Sequence, residues 1–442
     1  MFGIFDSQEK KMRDNASNWL ELASKVWNYR RDMLGVKESD ELVSRMEELG
    51  RLMREKADAA RLKLGIESLE GVLMRTGGAV YPKTSLVENV EFLLVAAIVI
   101  LGIRTYFFQP FKIPTNSMWP TYYGMTAENF PAGASPPNAA MRVLRFFALG
   151  AVGRSMVAPR DGQVSVPLFI GAGDRYTVAY TKKPGRKWFI IPAQVKEYTF
   201  TVDGEPTTVQ VPADFGESEF DDLVFGTFFP DHDALKAQIE RARAAGQIEE
   251  VSQKLDETSN QVYLALRVPM GRSVRAGEAI LRFDVLAGDQ LFVDRVSYNF
   301  MRPSVGQGFV FRTDHIPEIE RAYGDQYFVK RLVGAPGDSI EIRQPGIYRG
   351  GAPITGAKAF ELNAGRVSPY RGYFNANHDD SRYSILFPGE TITVPEHAYL
   401  ALGDNSHDSF DGRFWGYVPE KDVIGRPLFI YFPFTRRWGP AK

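Results

Sequence analysis

The chain has 442 residues, of which 44% are hydrophobic and 24% charged, so it is long enough for two or three folded domains and is not a disordered polymer. Its 53 Lys and Arg residues nearly cancel its 54 Asp and Glu residues, so nothing indicates a nucleic acid or an extended polyanionic partner. The absence of cysteine excludes disulfides, thiolate metal sites and a cysteine nucleophile.

The first part of the chain predicts helices. The opening thirty or so residues turn quickly charged and lack the basic start, apolar middle and small-residue cleavage site of a removable signal peptide, so we expect no cleavage there. From Ser17 to about Leu73, apolar side chains recur at spacings of three and four, which predicts a pair of amphipathic helices with a turn at Gly35. We interpret 1–84 as a helical region with a solvated surface.

The next segment is strongly apolar. Ser85-x-x-Glu88 has the pattern of a capping box and predicts a helix that begins near Leu86 and runs to Phe108. Such a helix is roughly 34 Å long at about 1.5 Å per residue, which is enough for a hydrocarbon core of about 30 Å. We therefore predict a transmembrane anchor over 85–108. A buried core helix is the alternative, because the strictly uncharged apolar run, 92–103, is short for a span.

Directly after this segment, a serine lies in a proline-containing stretch. Residues 109–121 read Gln-Pro-Phe-Lys-Ile-Pro-Thr-Asn-Ser-Met-Trp-Pro-Thr, which places Ser117 just outside the predicted membrane. A serine hydroxyl is a poor nucleophile unless a base removes its proton. Ser117 is therefore a candidate nucleophile that needs a base from elsewhere in the chain.

Residues 122–286 carry no recognisable catalytic motif. The range Met141 to Ala158 is apolar but interrupted by arginines, which predicts an interfacial amphipathic helix rather than a second membrane span. The range Trp188 to Val211 alternates in β fashion around Asp203-Gly204, a predicted hairpin turn. The range Ala234 to Thr258 is predicted to be a charged, solvated helix.

From Asp289 onward, short β-rich runs alternate with Gly and Pro turns, which predicts partly closed antiparallel sheets. The predicted strands are Gln290 to Val296, Phe309 to Arg312, Tyr327 to Val333, Ser339 to Ile342, Thr391 to Val394, Tyr399 to Leu402 and Pro427 to Phe432. The predicted fold class is therefore a mainly β domain with an α-helical N-terminal region and one transmembrane helix.

The run Tyr327 to Asp338 supplies a lysine that could act as the base. In a strand, Phe328, Lys330 and Leu332 share one face while Arg331 points away. An ordinary lysine has a pKa near 10.4, and lowering it by about three units disfavours the charged form by roughly 4 kcal/mol, which burial can supply. Taken alone, Lys330 and Arg331 are better interpreted as surface charges on an edge strand.

Three segments together resemble the bacterial type I signal peptidases, the serine/lysine branch of the S26 peptidases. They are the serine segment Ile113 to Thr121, the lysine segment Tyr327 to Asp338, and the turn Gly403-Asp-Asn-Ser-His-Asp-Ser-Phe-Asp-Gly-Arg413. Agreement in the right order, after an anchor, makes the resemblance specific. It implies a β-rich peptidase domain built from 109–123 and 287–442, with 124–286 as a large insert of unknown role.

The resemblance implies how the chemistry is divided. Ser117 attacks the scissile carbonyl, and Lys330 acts first as general base and then as general acid toward the leaving amine. The oxyanion of the tetrahedral intermediate needs preorganised donors. By resemblance, these are the hydroxyl of Thr115 and the backbone N–H of Ser117.

The resemblance also gives roles to the third segment and marks two departures. The Ser409 hydroxyl orients the lysine amine, and Asp411 pairs with Arg413 to hold the loop. Asn116 stands where glycine is usual, so we expect the turn to demand a positive φ from a residue that tolerates it. Gly412 stands where serine is usual, and we expect little damage because that side chain is not one of the presumed catalytic groups.

Family substrates carry small side chains, typically alanine, one and three residues before the cut, which implies shallow apolar pockets. The residues at the matching positions are Phe111, Ile113, Pro114, Met118 and Val329. Each of them, taken singly, is nearly as well explained as plain core.

The resemblance thus implies a membrane-anchored serine endopeptidase that cleaves N-terminal signal peptides from exported preproteins after Ala-x-Ala. The helical region would be cytoplasmic, and the catalytic domain would lie on the outer face of the cytoplasmic membrane, in contact with the lipid bilayer. Two alternatives stay open: a catalytically silent relative that serves as a membrane-tethered binding module, and a related peptidase with one dedicated client. The oligomeric state is left open.

Neither a metal nor another cofactor is predicted. Asp231-His232-Asp233 and His378-Asp379-Asp380 could attract a cation, but neither has a recognisable ligand spacing. A metal hydrolase is therefore disfavoured.

Overall fold

The computed structural model describes residues 8–131, 133–171, 175–187, 191–257, 261–378 and 380–441. The chain divides into two compact units, Met1–Leu101 and Gly102–Lys442. The finer predicted division into 1–84, 85–108, 109–123 with 287–442, and 124–286 remains a prediction.

The helices are α1 (Gln8–Arg30), α2 (Val36–Arg54), α3 (Ala59–Thr76), α4 (Ser85–Tyr106), α5 (Ala139–Leu149), α6 (Glu217–Phe228), α7 (His232–Ala244), α8 (Pro317–Tyr323), α9 (Lys358–Ala364) and α10 (Gly412–Trp415). The strands are β1 (Phe108–Lys112), β2 (Thr126–Asn129), β3 (Val152–Val157), β4 (Gly162–Ile170), β5 (Tyr176–Val178), β6 (Tyr180–Lys187), β7 (Ile191–Val202), β8 (Glu205–Pro212), β9 (Glu249–Lys254), β10 (Val262–Val274), β11 (Ala279–Leu286), β12 (Gln290–Asp294), β13 (Gly308–Arg312), β14 (Tyr327–Gly334), β15 (Ser339–Arg343), β16 (Gly346–Arg349), β17 (Ala352–Pro353), β18 (Thr391–Thr393), β19 (Ala398–Leu402), β20 (Tyr417–Pro419), β21 (Val423–Phe432) and β22 (Gly439–Pro440). Helices make up the start of the chain and antiparallel strands dominate the rest, so the predicted fold class is confirmed.

The first unit contains three packed helices where the sequence predicts a two-helix hairpin. The predicted turn at Gly35 separates α1 from α2, but the second predicted helix is broken between α2 and α3. Lys56 adopts a left-handed φ of 53°, and Asp58 caps α3 by accepting a hydrogen bond from the Arg61 amide at 2.8 Å. The apolar periodicity continues through this break, so the pattern alone does not reveal it. The buried core of the bundle is Ala16, Ala23, Val26, Leu42, Leu49, Leu52, Leu62, Ile66, Leu69, Val72 and Leu73.

The apolar helix α4 has 22 residues and is roughly 33 Å long at about 1.5 Å per residue. Within the described part of the chain, it is the one helix long and apolar enough to cross a bilayer, judged by length and composition. Its N-cap is Thr84 rather than Ser85, because the Thr84 carbonyl accepts from the Glu88 amide at 3.1 Å and the Thr84 hydroxyl from the Val87 amide at 3.4 Å. The helix ends before Phe108, which already belongs to β1.

The second unit is built on a curled antiparallel sheet. Eight strands pair in the order β1-β12-β21-β13-β14-β19-β20, with β22 on β21, and four more pair in the order β17-β16-β15-β18. Register shifts between β12 and β21, β13 and β21, and β14 and β19 bend the larger sheet. Each strand predicted after residue 289 is present, and its ends agree within two residues, except that β21 begins four residues early at Val423.

Residues 124–286 form a further β-rich layer with a core of its own. Seven strands pair in the order β6-β7-β4-β10-β9, with β5 on β4 and β8 on β7, and three more pair in the order β2-β11-β3. The helix α6 packs on β2 and β5, and α7 packs on β10. The core includes Tyr198, Phe200, Phe220, Val268 and Phe283.

Two helices in this layer are shorter in the structure than the sequence predicts. The predicted helix over 141–158 is helical only as α5, and its second half is β3, which pairs with β11. The predicted helix over 234–258 ends with α7 at Ala244, and residues 249–254 form β9 on β10, while Thr258 lies outside the described residues.

The predicted hairpin around Asp203-Gly204 is confirmed. Those two residues join β7 to β8 with φ of 44° and 84°, as a tight turn between antiparallel strands requires. Trp188, where the predicted run begins, lies outside the described residues.

Candidate active site

The lysine of β14 lies inside the protein. Lys330 is 3% exposed, and the ring of Phe328 lies 5.8 Å from its amine. Burial removes the water that stabilises an ammonium group and lowers the pKa of Lys330 to about 8, against the opposing charge of Asp411. The alternative interpretation of an edge strand is wrong, because β14 lies between β13 and β19.

The amine of Lys330 has one hydroxyl partner. Lys330 Nζ lies 3.2 Å from Ser409 Oγ, and both side chains are buried. Ser409 follows a short 3-10 turn, Ser406–Asp408, in the loop that leaves β19. Gly403 begins this loop and has no room for a side chain, since an added Cβ would lie 2.1 Å from Ser409 Oγ and 2.4 Å from the Ser117 carbonyl oxygen. The missing side chain at Gly403 therefore lets three segments meet.

A buried ion pair between Asp411 and Arg413 stabilises the loop that carries Ser409. Arg413 Nε donates to Asp411 Oδ1 at 2.9 Å and Arg413 Nη2 to Asp411 Oδ2 at 2.9 Å, with both side chains fully buried. Asp411 also accepts from the Gly403 amide at 3.0 Å, and Arg413 donates to the Ser406 carbonyl at 2.7 Å. Burial alone would raise the pKa of Asp411, but Arg413 outweighs it and holds that pKa below its ordinary value. The pair thus joins the two ends of the loop.

Ser117 lies in a 3-10 turn, Asn116–Met118, that follows β1 and packs against β14. Asn405 holds this turn twice: its amide donates to the Ser117 carbonyl at 3.1 Å, and its side chain donates to the Asn116 carbonyl at 3.1 Å. Ser117 is half-buried and Thr115 is exposed at the N-cap position. Because the first amides of a helical turn have no partner within it, they are available to a ligand.

The prediction of a positive φ at Asn116 is wrong. The non-glycine residues with positive φ in the described ranges are Lys56, Asp203, Arg366, Leu386 and His397. Asn116 is instead the first residue of the 3-10 turn and is 7% exposed. Its side chain is fully engaged, since Oδ1 accepts from the Gly124 amide at 2.7 Å and Nδ2 donates to Glu219 Oε1.

Most of the predicted pocket residues gather beside this turn. Ile113 and Met118 are buried in one cluster with Leu291, Val293, Val310 and Ile430, and Phe111 and Val329 pack on it half-buried. The Phe111 ring meets the Tyr327 ring edge-on, with centroids 5.1 Å apart. Pro114 is half-buried, and its carbonyl accepts from the Met125 amide at 3.0 Å. Ile113 and Met118 are therefore core residues, and Phe111, Pro114 and Val329 lie half-buried beside them.

A second buried ion pair, between Arg331 and Asp404, was not predicted from the sequence. Arg331 points away from Lys330, as predicted, but into the protein rather than into solvent, and its Nε donates to Asp404 Oδ1 at 2.7 Å. Asp404 also accepts from the hydroxyls of Thr121 and Tyr373, the latter at 3.3 Å. The partner, Asp404, lies in the segment Gly403-Asp404-Asn405, which the sequence had singled out. Alternation along a strand, however, indicates only the side to which Arg331 points and not the residue that it meets there. This pair ties the serine turn to both β14 and the loop.

The groups considered as metal ligands have other partners. Asp231 caps α7 through the Ala234 amide at 2.8 Å, and His378 stacks on Phe387 with centroids 4.3 Å apart. Asp380 pairs with Arg382, and Asp379 lies outside the described residues.

Within the described ranges, one further cluster of suitable ligand types is present that was not predicted. Asp314, His315 and Asp422 lie together, with His315 Nδ1 2.8 Å from Asp422 Oδ1 and 3.4 Å from Asp314 Oδ1. In the tautomer with the hydrogen on Nδ1, His315 donates a hydrogen bond to Asp422, so the shorter contact does not require a cation.

Comparison with known proteins places the second part of the chain. Residues 274–432 match the model of the family described as signal peptidase, peptidase S26. This part of the chain is similar to that family. The matched residues include Lys330, Ser409, Asp411 and Arg413, whereas Ser117 lies outside them.

Several named signal peptidases and processing peptidases are similar to the same part of the chain. It is 32% identical over 155 residues to the probable signal peptidase I-1 of Synechocystis sp., which covers 34% of this chain and 66% of that protein. It is 28% identical to the signal peptidase I of Leptolyngbya laminosa, over 34% of this chain and 62% of the relative. It is also 28% identical to the thylakoidal processing peptidase 1 of Arabidopsis thaliana, over 33% of this chain and 37% of the relative.

The chain therefore spans somewhat less than two thirds of the length of the cyanobacterial relatives that it matches. A signal peptidase I from Enterococcus faecalis V583 is similar among solved structures, at 24% identity over 28% of this chain and 97% of that one, with a TM-score of 0.20.

Proposed function

We propose that this protein is a membrane-anchored serine endopeptidase that removes N-terminal signal peptides from exported preproteins. The observation that carries the proposal is the buried amine of Lys330, held 3.2 Å from Ser409 Oγ on the strand against which the Ser117 turn packs. The match of residues 274–432 to the S26 family and the similarity to named signal peptidases support it.

In the proposed reaction, Lys330 in its neutral form takes the proton of Ser117 Oγ as the oxygen attacks the scissile carbonyl carbon. The Thr115 hydroxyl and the Ser117 N–H stabilise the oxyanion of the tetrahedral intermediate. The C–N bond then breaks, and the Lys330 ammonium gives its proton to the leaving amine. In the second half, Lys330 deprotonates a water that attacks the acyl-enzyme, and Ser117 is released with its proton.

The electrostatics favour Lys330 as the base. With an ordinary pKa of about 10.4, only about 0.04% of a lysine is neutral at pH 7. With the pKa of Lys330 lowered to about 8 by burial, the neutral form rises to about 10% at pH 7 by the same titration arithmetic. Ser409 holds the amine in one place by a hydrogen bond that does not require charge, and Asp411 and Arg413 keep Ser409 in place.

The substrate is proposed to carry small residues one and three positions before the cut, as in Ala-x-Ala. We propose that Phe111, Ile113, Pro114, Met118 and Val329, which lie together in the structure, form a shallow apolar pocket that accepts a methyl group and excludes larger side chains. The strand β1 lies at an edge of its sheet, and such an edge offers backbone hydrogen bonds to an extended peptide.

We propose α4 as a single membrane anchor, with residues 1–84 in the cytoplasm and the catalytic part, built from 109–123 and 287–442, on the outer face of the cytoplasmic membrane. A second contact with lipid is proposed through α5. Met141, Val143, Leu144 and Phe147 of this helix are 46–69% exposed, whereas Arg145 is turned inward to Asp284 at 3.0 Å. A helix that exposes several large apolar side chains next to an arginine, here Arg142, is suited to the interface of a bilayer.

The test uses the purified full chain in detergent with a preprotein that carries an Ala-x-Ala site. Intact-mass measurement should show a product cut directly after the second alanine with the wild type, and none with Ser117→Ala. Ser155→Ala, which changes an exposed serine on β3, is the matched control and should cut like the wild type. Failure of the folded wild type to cut several such preproteins would contradict the proposal.

A further inference from the structure

The layer formed by 124–286 contacts the candidate active site through the first turn of α6. Glu219 Oε1 accepts a hydrogen bond from Asn116 Nδ2, next to Ser117. One residue earlier, Ser218 Oγ donates to Asp408 Oδ2 at 3.0 Å, next to Ser409. A single helical turn thus reaches both the turn that carries Ser117 and the loop that carries Ser409.

Asn116 is held on several sides. Its Oδ1 accepts from the Gly124 amide at 2.7 Å, and its carbonyl accepts from the Asn405 side chain at 3.1 Å and from the Trp119 amide at 3.0 Å. The Asn116 side chain is therefore held at both ends of its amide group, by the Gly124 amide at Oδ1 and by Glu219 at Nδ2. Since Asn116 immediately precedes Ser117, its orientation bears on the Ser117 N–H and on the direction of the Ser117 side chain.

We propose that Glu219 is a positioning residue for Ser117, acting through Asn116, and that the insert is thereby part of the catalytic apparatus. This inference rests on the proposed peptidase function. A glycine at position 116 would have no side chain to make this contact, so Glu219 can act on the serine turn in this way only because Asn116 is present.

The surroundings of Glu219 show that its contact is built into the fold. The carboxylate also accepts from the Ala127 amide of β2, and burial raises the pKa of Glu219 to about 7, with Asp222 and Asp408 adding to the effect and Asn116 opposing it. A buried carboxylate next to two others is unfavourable unless its hydrogen bonds are made. The Asn116 amide is therefore an important partner for Glu219, as Glu219 is for Asn116.

The test is a double-mutant cycle on kcat and KM for an Ala-x-Ala peptide, with the full chain in detergent. Glu219→Ala should lower kcat by about tenfold and change KM by less than about twofold, because a misplaced nucleophile slows the chemical step more than substrate binding. Asn116→Gly should lower kcat at least as much. In the double variant, Glu219→Ala should cause no further loss, since the contact is already gone.

Two controls separate positioning from general damage to the insert. Glu217→Ala removes a neighbouring carboxylate of α6 that binds Lys196 and Tyr180 within the insert, and it should keep wild-type kcat. Glu219→Gln keeps an acceptor for Asn116 and should restore part of kcat. The proposal is overturned if Glu219→Ala matches Glu217→Ala, or if the losses of Glu219→Ala and Asn116→Gly multiply in the double variant.

A second readout does not depend on activity. Hydrogen exchange followed by mass spectrometry should show faster exchange of the amides of 115–119 in Glu219→Ala than in Glu217→Ala. If the wild type cuts no preprotein, the proposed function fails, and the exchange rates still decide whether Glu219 holds the turn. Equal exchange in the two variants would overturn the positioning role even in an active enzyme.

Discussion

Asn405 holds Ser117 by the backbone: its amide donates to the Ser117 carbonyl at 3.1 Å. Asn405 belongs to the same loop as Ser409, which contacts Lys330. The loop therefore positions the proposed nucleophile and the proposed base together. Chemistry, electrostatics and stability at this site are coupled as a result.

Replacing the proposed base should abolish turnover. Lys330→Ala removes general base catalysis, which contributes about 10²- to 10⁴-fold, so we expect kcat/KM for an Ala-x-Ala peptide to fall at least that far. Lys254→Ala, an exposed lysine on β9, is the control and should retain full activity. Wild-type turnover by the Lys330 variant would refute the assignment.

The pH profile should report the same group. Because Lys330 acts when neutral and burial lowers its pKa to about 8, kcat/KM should rise about tenfold per pH unit below pH 8 and level off above it. Initial rates between pH 5.5 and 9.5, on a substrate without titrating groups in that range, test this. A plateau that begins below pH 6 would be incompatible with Lys330 as the base.

Ser409→Ala should have a milder effect than Lys330→Ala. The amine of Lys330 loses its hydroxyl partner at 3.2 Å but keeps its burial, so we expect kcat to fall by about tenfold with little change in KM. The matched control is Ser252→Ala, an exposed serine on β9. An unchanged kcat in Ser409→Ala would remove the orienting role of this hydroxyl.

Burial of Lys330 should cost stability in a defined pH window. A lysine whose pKa is lower in the folded state than in the unfolded state destabilises the fold below the folded value, and that cost fades as pH rises from about 8 to about 10.4. Lys330→Met should therefore raise the free energy of unfolding at pH 7 by up to about 3 kcal/mol. Melting temperatures of variant and wild type should converge as pH approaches 10, and a constant gap would contradict this account.

The pair of Arg331 and Asp404 should matter far more for stability than a surface pair. Asp404→Ala leaves the Arg331 charge buried without its partner, which typically costs about 3–5 kcal/mol. Glu249→Ala breaks the exposed pair with Arg267 and should cost less than about 1 kcal/mol. Chemical denaturation of both variants measures the difference, and equal costs would show that the buried pair is not needed.

Contact of α5 with lipid can be measured because the chain has no cysteine. A fluorophore attached at Phe147→Cys in lipid nanodiscs should be quenched by brominated acyl chains, since Phe147 is 69% exposed on the apolar face of the helix. The same label at Ser252→Cys, on exposed β9, should not be quenched. Equal quenching at the two positions would exclude the proposed contact.

What the sequence predicts well is local. The strand that carries Lys330 and the hairpin at Asp203-Gly204 follow from alternation and turn chemistry over a few residues. The charged run after Ala244 was predicted to be helical, yet residues 249–254 form a strand because β10 offers them a partner distant in sequence. The sequence of 249–254 does not by itself indicate that this pairing will form.

The site was predictable in its parts but not in its connections. Alternation put Arg331 on the opposite side from Lys330, but only the packed fold shows that this side holds Asp404. Asn116 was expected to have a positive φ, whereas it lies in the 3-10 turn and its side chain contacts Glu219, which is more than 100 residues away in the sequence. Contacts between distant segments are set by the whole fold, so a motif indicates the chemistry and leaves the supporting structure unknown.

The layer of 124–286 leaves and rejoins the rest of the unit at a single point. The Asp289 amide donates to the Tyr123 carbonyl at 2.8 Å, the Tyr123 amide donates to the Asp289 carboxylate at 2.9 Å, and β2 pairs with β11 just beyond them. A short loop could therefore join Tyr123 to Asp289, but a protein trimmed in this way would also lose Glu219 and its hydrogen bond to Asn116.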